Sequence, residues 1–296
     1  MASKSKAHLA VLAANFFFGV NYIAVKYNVP SHILPLGLNV VRILSSVILL
    51  WLLFLLNPGK PGIDKKDIPR FIICALSGVA INQMLFIKGL SLTTAIHASL
   101  LALVTPIFII FIAAWLLKEK ITGFKIAGLI SGFAGAAILI SIKDTSQTGS
   151  NIFFGDILII INAVSYAFYL VLVRPLMQRY SPIHVIRWVF TFGSIIILLF
   201  GWNDLSVTNW NNFEPMNWTA LAFVAVCATF FAYLFNIYGV SVIGASATGS
   251  YIYTQPVFAA LIAIFFAGEH LDGTKILCAI LIFSGVYIAN YKRKIT

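Results

Sequence analysis

Residues 105–139 read TPIFIIFIAAWLLKEKITGFKIAGLISGFAGAAIL, and residues 255–289 read QPVFAALIAIFFAGEHLDGTKILCAILIFSGVYIA, the same order of residue types 150 positions later. Pro106 falls on Pro256, Phe108 on Phe258, Glu119 on Glu269, Gly123 on Gly273, Lys125 on Lys275 and Gly135 on Gly285. Two apolar helices match Leu to Ile by chance, but rarely Pro, Glu, Gly and Lys in one register. The same offset carries the match without a gap from residues 71–140 to 221–290, with Gly89 on Gly239. Small shifts bring in the earlier segments: Arg42 in VVRIL meets Arg187 in VIRWV, and Lys26 meets Arg174. The chain reads as an internal duplication, residues 1–142 forming one repeat and 151–296 the other.

Composition names the solvent. The chain is 60% hydrophobic and 10% charged, with a mean hydropathy of +0.97. An ordinary soluble domain has about a quarter of its residues charged. In a bilayer every backbone polar group must be satisfied internally, which leaves helices and closed barrels. Apolar runs of about 20 residues, not alternating runs of about ten, select helices. Ten spans are expected, near 9–26, 36–56, 71–90, 94–117, 126–142, 156–173, 182–200, 218–242, 245–267 and 276–291. The first carries Asn15 and Asn21 and no clear cleavage site, so it reads as a span rather than a signal peptide. The fold class is all-α integral membrane, about ten transmembrane helices as two inverted five-helix repeats.

The net charge of +11 comes from short clusters between apolar spans, a pattern that does not fit nucleic-acid binding. With the N-terminus inside, fifteen of the twenty Lys and Arg lie on or near the cytoplasmic side. Lys26, Arg42, Lys88, Lys143 and Lys275 remain toward the other face. An even number of spans returns Lys292-Arg293-Lys294 to the cytoplasm. An odd number per repeat turns the second half over relative to the first. Such inverted halves can exchange shapes, opening a central site first to one side and then to the other. That is the physical argument for transport.

The duplicated residues also resemble the EamA-type permeases of the drug/metabolite transporter superfamily, from about residue 9 to 291. The motifs are Pro106 and Pro256, the turns E119-x-x-x-G123-x-K125 and E269-x-x-x-G273-x-K275, the endings at Gly135 and Gly285, and the arginines of the second and seventh spans. The resemblance implies ten spans, both termini cytoplasmic, and export of amino acids or other metabolites across the plasma membrane. One departure is Phe17-Phe18-Gly19, where many members carry a Trp before the Gly.

None of the nine acidic residues falls in the middle of an expected span. This argues against a carboxylate proton relay at the membrane centre. Glu119 and Glu269 read as turn devices at the start of the following helix. Pro106 and Pro256 are expected inside their helices, as bends and candidate hinges. Amides must face protein or water, because an unsatisfied amide in hydrocarbon costs several kcal/mol. Asn15, Asn21, Tyr22, Asn82, Gln83, Asn162, Tyr166, Tyr169, Asn236, Tyr253 and Gln255 are therefore the candidate substrate-binding set. For each taken alone, helix–helix hydrogen bonding is an equal reading. The fifth and tenth spans, rich in Gly and Ser, are expected to pack peripherally. Lys26, Arg42, Arg174 and Arg187 are candidate entrance or gating charges, with snorkelling to the interface as the alternative for Lys26 and Arg174. His97 is expected to make a lone polar contact.

The leading function is a secondary exporter of amino acids or related small metabolites. A drug or other metabolite carrier is the alternative, with an integral membrane enzyme and a non-transporting receptor behind it. The sequence calls for no catalytic residue, metal or cofactor. The expected partners are a small-molecule substrate and membrane lipid, not nucleic acid; oligomeric state is left open.

Overall fold

A computed structural model describes residues 4–56, 62–117, 123–141, 149–243, 248, 251–268 and 270–290. Glu119 and Glu269 lie outside the described residues. Every regular element among those described is helical. In the first half, α1 spans Lys4–Asn28, α2 Pro35–Leu56, α3 Ile68–Ala75, α4 Ile81–Leu92, α5 Ala95–Ala102, α6 Thr105–Leu117 and α7 Gly123–Ser141. In the second, α8 spans Ile152–Leu172, α9 Arg174–Met177, α10 Pro182–Ser206, α11 Pro215–Ala222, α12 Ala232–Ile243, α13 Gln255–Ala267 and α14 Gly273–Asn290.

Several of these join into longer apolar rods. Seven segments are long and apolar enough to cross a bilayer, among them Lys65–Leu92, Ala95–Leu116 and Pro215–Gly239. Three shorter apolar helices, Ile126–Leu139, Tyr251–Ala267 and Gly273–Gly285, lie in three of the other expected spans. Large apolar side chains such as Leu55, Leu56, Leu199, Phe265 and Phe266 stand exposed on the outside. Water would not tolerate so wide an apolar surface, and lipid requires it. The chain is a multi-pass membrane protein.

The duplication reappears as reciprocal packing. Helix α4 lies on α8 while α12 lies on α1; α6 lies on α8 while α13 lies on α1. Helices α2 and α10 pair with each other, as do α7 and α14. Each half is thus packed largely against the other. Glycines make the closest crossings possible. A Cβ on Gly155 would stand 2.8 Å from the Gly89 carbonyl oxygen and 2.7 Å from the Thr93 nitrogen, so α4 and α8 meet backbone to backbone.

Two irregularities also recur in matched places. Helices α3 and α4 are joined by a π-helix at Leu76–Ala80, and α11 and α12 by one at Phe223–Phe231. The prolines differ from expectation. Pro106 and Pro256 are each the second residue of a new helix, not interior residues of a continuous one. Leu103 and Val104 form a tight turn before α6, and a 3-10 turn at Tyr251–Thr254 precedes α13. The reason is steric. A proline ring clashes with the carbonyl four residues back and lacks an N–H, faults that matter least in a first turn.

Candidate functional site

The two halves meet in a buried polar core. On α2, Asn39 and Arg42 are one turn apart and share a face. Asn39 Nδ2 donates to the Gln83 carbonyl at 2.9 Å, and Gln83 Nε2 donates to Asn82 Oδ1 at 3.1 Å and to the Tyr233 hydroxyl at 3.3 Å. Asn82 and Asn162 exchange side-chain-to-carbonyl bonds at 3.3 and 2.8 Å, tying α4 to α8. Arg42 Nε donates to Thr229 Oγ1 at 3.1 Å.

The π-segments explain how hydroxyls join this core. A π-turn displaces the regular backbone ladder, a deviation that recurs at functional sites. In one, the Ser77 carbonyl accepts from Ser165 at 2.7 Å; in the other, Val224 accepts from Thr229, five residues on, at 2.7 Å. Thr229 is thereby turned to meet Arg42.

Several polar atoms in this region have no partner. Arg42 is 3% exposed, uses one donor, and leaves Nη1 unbonded; Asn21 Oδ1, Asn39 Oδ1 and Gln83 Oε1 are likewise open. Beside them a narrow pocket is lined by Ser46, Thr229 and Tyr233 at one end and by apolar side chains, including Leu50, Ile186 and Phe190, at the other.

The remaining expected site residues are distributed more widely. Gln255 Nε2 donates to Asn15 Oδ1 at 2.8 Å, joining α13 to α1. Tyr22 packs edge-on to Phe86 at 5.6 Å between ring centres, Tyr166 pairs with Tyr169 at 5.8 Å, and Tyr253 packs on Phe283 at 5.9 Å. Asn236 is half-buried on α12, and Arg174 is exposed at the start of α9. Arg187 is as buried as Arg42 but sits 3.8 Å from the Phe54 ring centre and 4.8 Å from that of Trp51. Those ring faces attract its charge.

Sequence reasoning missed a second buried network. Asp156, fully buried, accepts from Thr93 Oγ1 and lies 2.8 Å from His97 Nδ1. Lys26 Nζ donates to the carbonyl of the same Thr93. His97 thus belongs to a carboxylate pair rather than making a lone contact. The expected span began at Asp156, whereas the helix begins at Ile152 and carries the carboxylate inward by a turn. At the opposite end of the α3 and α10 bundle, Arg179 bonds Asp67 at 2.5 Å and Asp64 at 3.2 Å, and the Tyr180 hydroxyl donates to Asp67 at 2.7 Å. Asn39 also escaped notice, although its position three residues before Arg42 was a readable signal.

A multi-pass helical protein whose polar core is built jointly by two matched halves has the architecture of a solute carrier. A profile of the EamA-like transporter family matches residues 5–141 and again 153–291, so the chain belongs to that family, within the drug/metabolite transporter superfamily. An uncharacterized transporter of Archaeoglobus fulgidus is 26% identical over 292 residues, covering 98% of this chain and 99% of its own. A probable terminal-alkyne amino-acid exporter of Streptantibioticus cattleyicolor is 26% identical over 133 residues, covering 45% of this chain and 43% of its own. A solved crystal structure with 16% identity superposes with a TM-score of 0.65, covering 97% of this chain and 98% of that one, and shares the fold. The family and these names are those of transporters rather than enzymes.

Proposed function

We propose that the protein is a secondary carrier that exports amino acids or related small metabolites by alternating access. The observation that carries this reading is the polar core, to which the first half gives Asn39, Arg42, Asn82 and Gln83 and the second Asn162, Thr229 and Tyr233. A site shared across matched halves changes its exposure when they rearrange. The reciprocal packing of α4 on α8 and α12 on α1 supports ten spans in two inverted repeats, residues 1–142 and 151–296, with both termini in the cytoplasm. In that orientation the pocket lies toward the cytoplasmic ends of α2 and α10, where an exported solute would load. The breaks ahead of Pro106 and Pro256 are the proposed hinges. Lys26, Arg174 and Arg187 are the proposed entrance or gating charges.

Counterflow in proteoliposomes, with a labelled amino-acid mixture outside and unlabelled mixture inside, should show transient accumulation of a labelled species. Alanine at Asn82, Tyr166 or Asn236 should lower that exchange in protein still folded and inserted; unchanged exchange in all three would remove them from the site. Lack of accumulation with every metabolite tried would end the carrier reading. Orientation has its own test: cysteines placed at Lys65 and Lys66 should react with an impermeant maleimide only from the cytoplasmic side. Reaction from outside would invert the topology.

A further inference from the structure

Resting on that carrier reading, we infer that the substrate is an apolar α-amino acid, its carboxylate held by Arg42. The guanidinium carries five N–H donors. Here one is used, Nη1 is buried without a partner, and no carboxylate pairs with Arg42 among the described residues. A buried charge is ordinarily paired and fully hydrogen-bonded. The missing group is an anion. Tyr233 points the same way, because its hydroxyl accepts from Gln83 and its own proton has no acceptor among the described residues.

The open acceptors define the other pole. Asn39 Oδ1 and Gln83 Oε1 are buried and unbonded, Asn39 is one turn from Arg42 on α2, and Asn39 Nδ2 contacts the Gln83 backbone. Amide oxygens without a protein donor suit an ammonium group. Thr229, which bonds Arg42, and Tyr233, which bonds Gln83, both line the pocket, whose far end is Leu50, Ile186, Phe190 and Phe230. A zwitterion at the polar end therefore leaves its side chain among apolar ones. Arg187 makes the contrast: the equivalent arginine of the second repeat is already met by two aromatic rings and by His184 at 3.1 Å.

The test is thermal stabilisation of the purified, detergent-solubilised protein by leucine, by leucinamide, which lacks the carboxylate, and by 4-methylpentanoate, which lacks the amine. Leucine should bind at least about tenfold more tightly than either analogue. Arg42→Gln should abolish the preference for leucine over leucinamide. Asn39→Asp, nearly isosteric, supplies an internal carboxylate one turn from Arg42. It should raise the melting temperature and eliminate the response to leucine, which a merely unfolded variant could not do. Equal binding of leucine and leucinamide, equal binding of leucine and 4-methylpentanoate, or no response to leucine would each overturn the inference. Counterflow of some other solute by the same preparation would then show that the carrier reading survives.

Discussion

Asp156→Ala is expected to destabilise the protein by on the order of 3–5 kcal/mol, the usual cost of removing one partner from a buried charged pair. The carboxylate is fully buried and serves Thr93 and His97 at once, while Lys26 binds the Thr93 carbonyl. Three segments, α1, the α4–α5 junction and α8, therefore meet at this one side chain. Its removal leaves the Thr93 hydroxyl and the imidazole buried among apolar groups, which is the expensive direction of change. Asp156→Asn keeps an acceptor and should cost less. The double variant with His97→Ala should recover part of the loss, because the orphaned ring is gone. Unfolding by titration with sodium dodecyl sulfate, followed by circular dichroism, measures all three. A midpoint for Asp156→Ala equal to that of the unchanged protein would show that the network contributes nothing to stability.

That network also shows where the sequence stopped being legible. The family, the helical class and the two-fold grammar were readable because Pro, Gly and Lys recur at one offset, and such a signal needs no three-dimensional knowledge. Arg42 and Arg187 looked equivalent for the same reason, yet Arg187 lies against Trp51 and Phe54 while Arg42 has only Thr229. Which neighbour reaches a side chain depends on helix rotation, and hydropathy does not report rotation in helices that are apolar all round. The π-segments were invisible too. LSGVA and FVAVCATFF carry no residue that demands an extra backbone position. Their effect, turning Thr229 toward Arg42, decides the site. The amide set was recognised as polar and inward, but Tyr253 lies against Phe283 and Gln255 against Asn15.

The second large effect is expected at Gly285. A Cβ there would stand 2.5 Å from the Gly132 nitrogen and 2.7 Å from the Gly128 carbonyl oxygen, both backbone atoms that no side-chain rotation can move. Gly285→Val must therefore push α14 off α7 along the face where Ser131 Oγ donates to the Leu281 carbonyl at 2.9 Å. Overpacking of this kind costs about 1–3 kcal/mol, and the lost hydrogen bond about 1 kcal/mol more. Gly273 is the control, since a Cβ there meets nothing within 4 Å and Gly273→Ala should leave stability unchanged or slightly raised. Helices α7 and α14 pack mainly on each other and supply none of the hydrogen bonds of the polar core. In the carrier reading they are a buttress, so Gly285→Val should lower the unfolding midpoint and the yield while the folded fraction keeps the KM of the unchanged protein. A raised KM at unchanged stability would make the α7–α14 pair part of the moving machinery instead, because its close glycine contact would then be needed in only one of the two states.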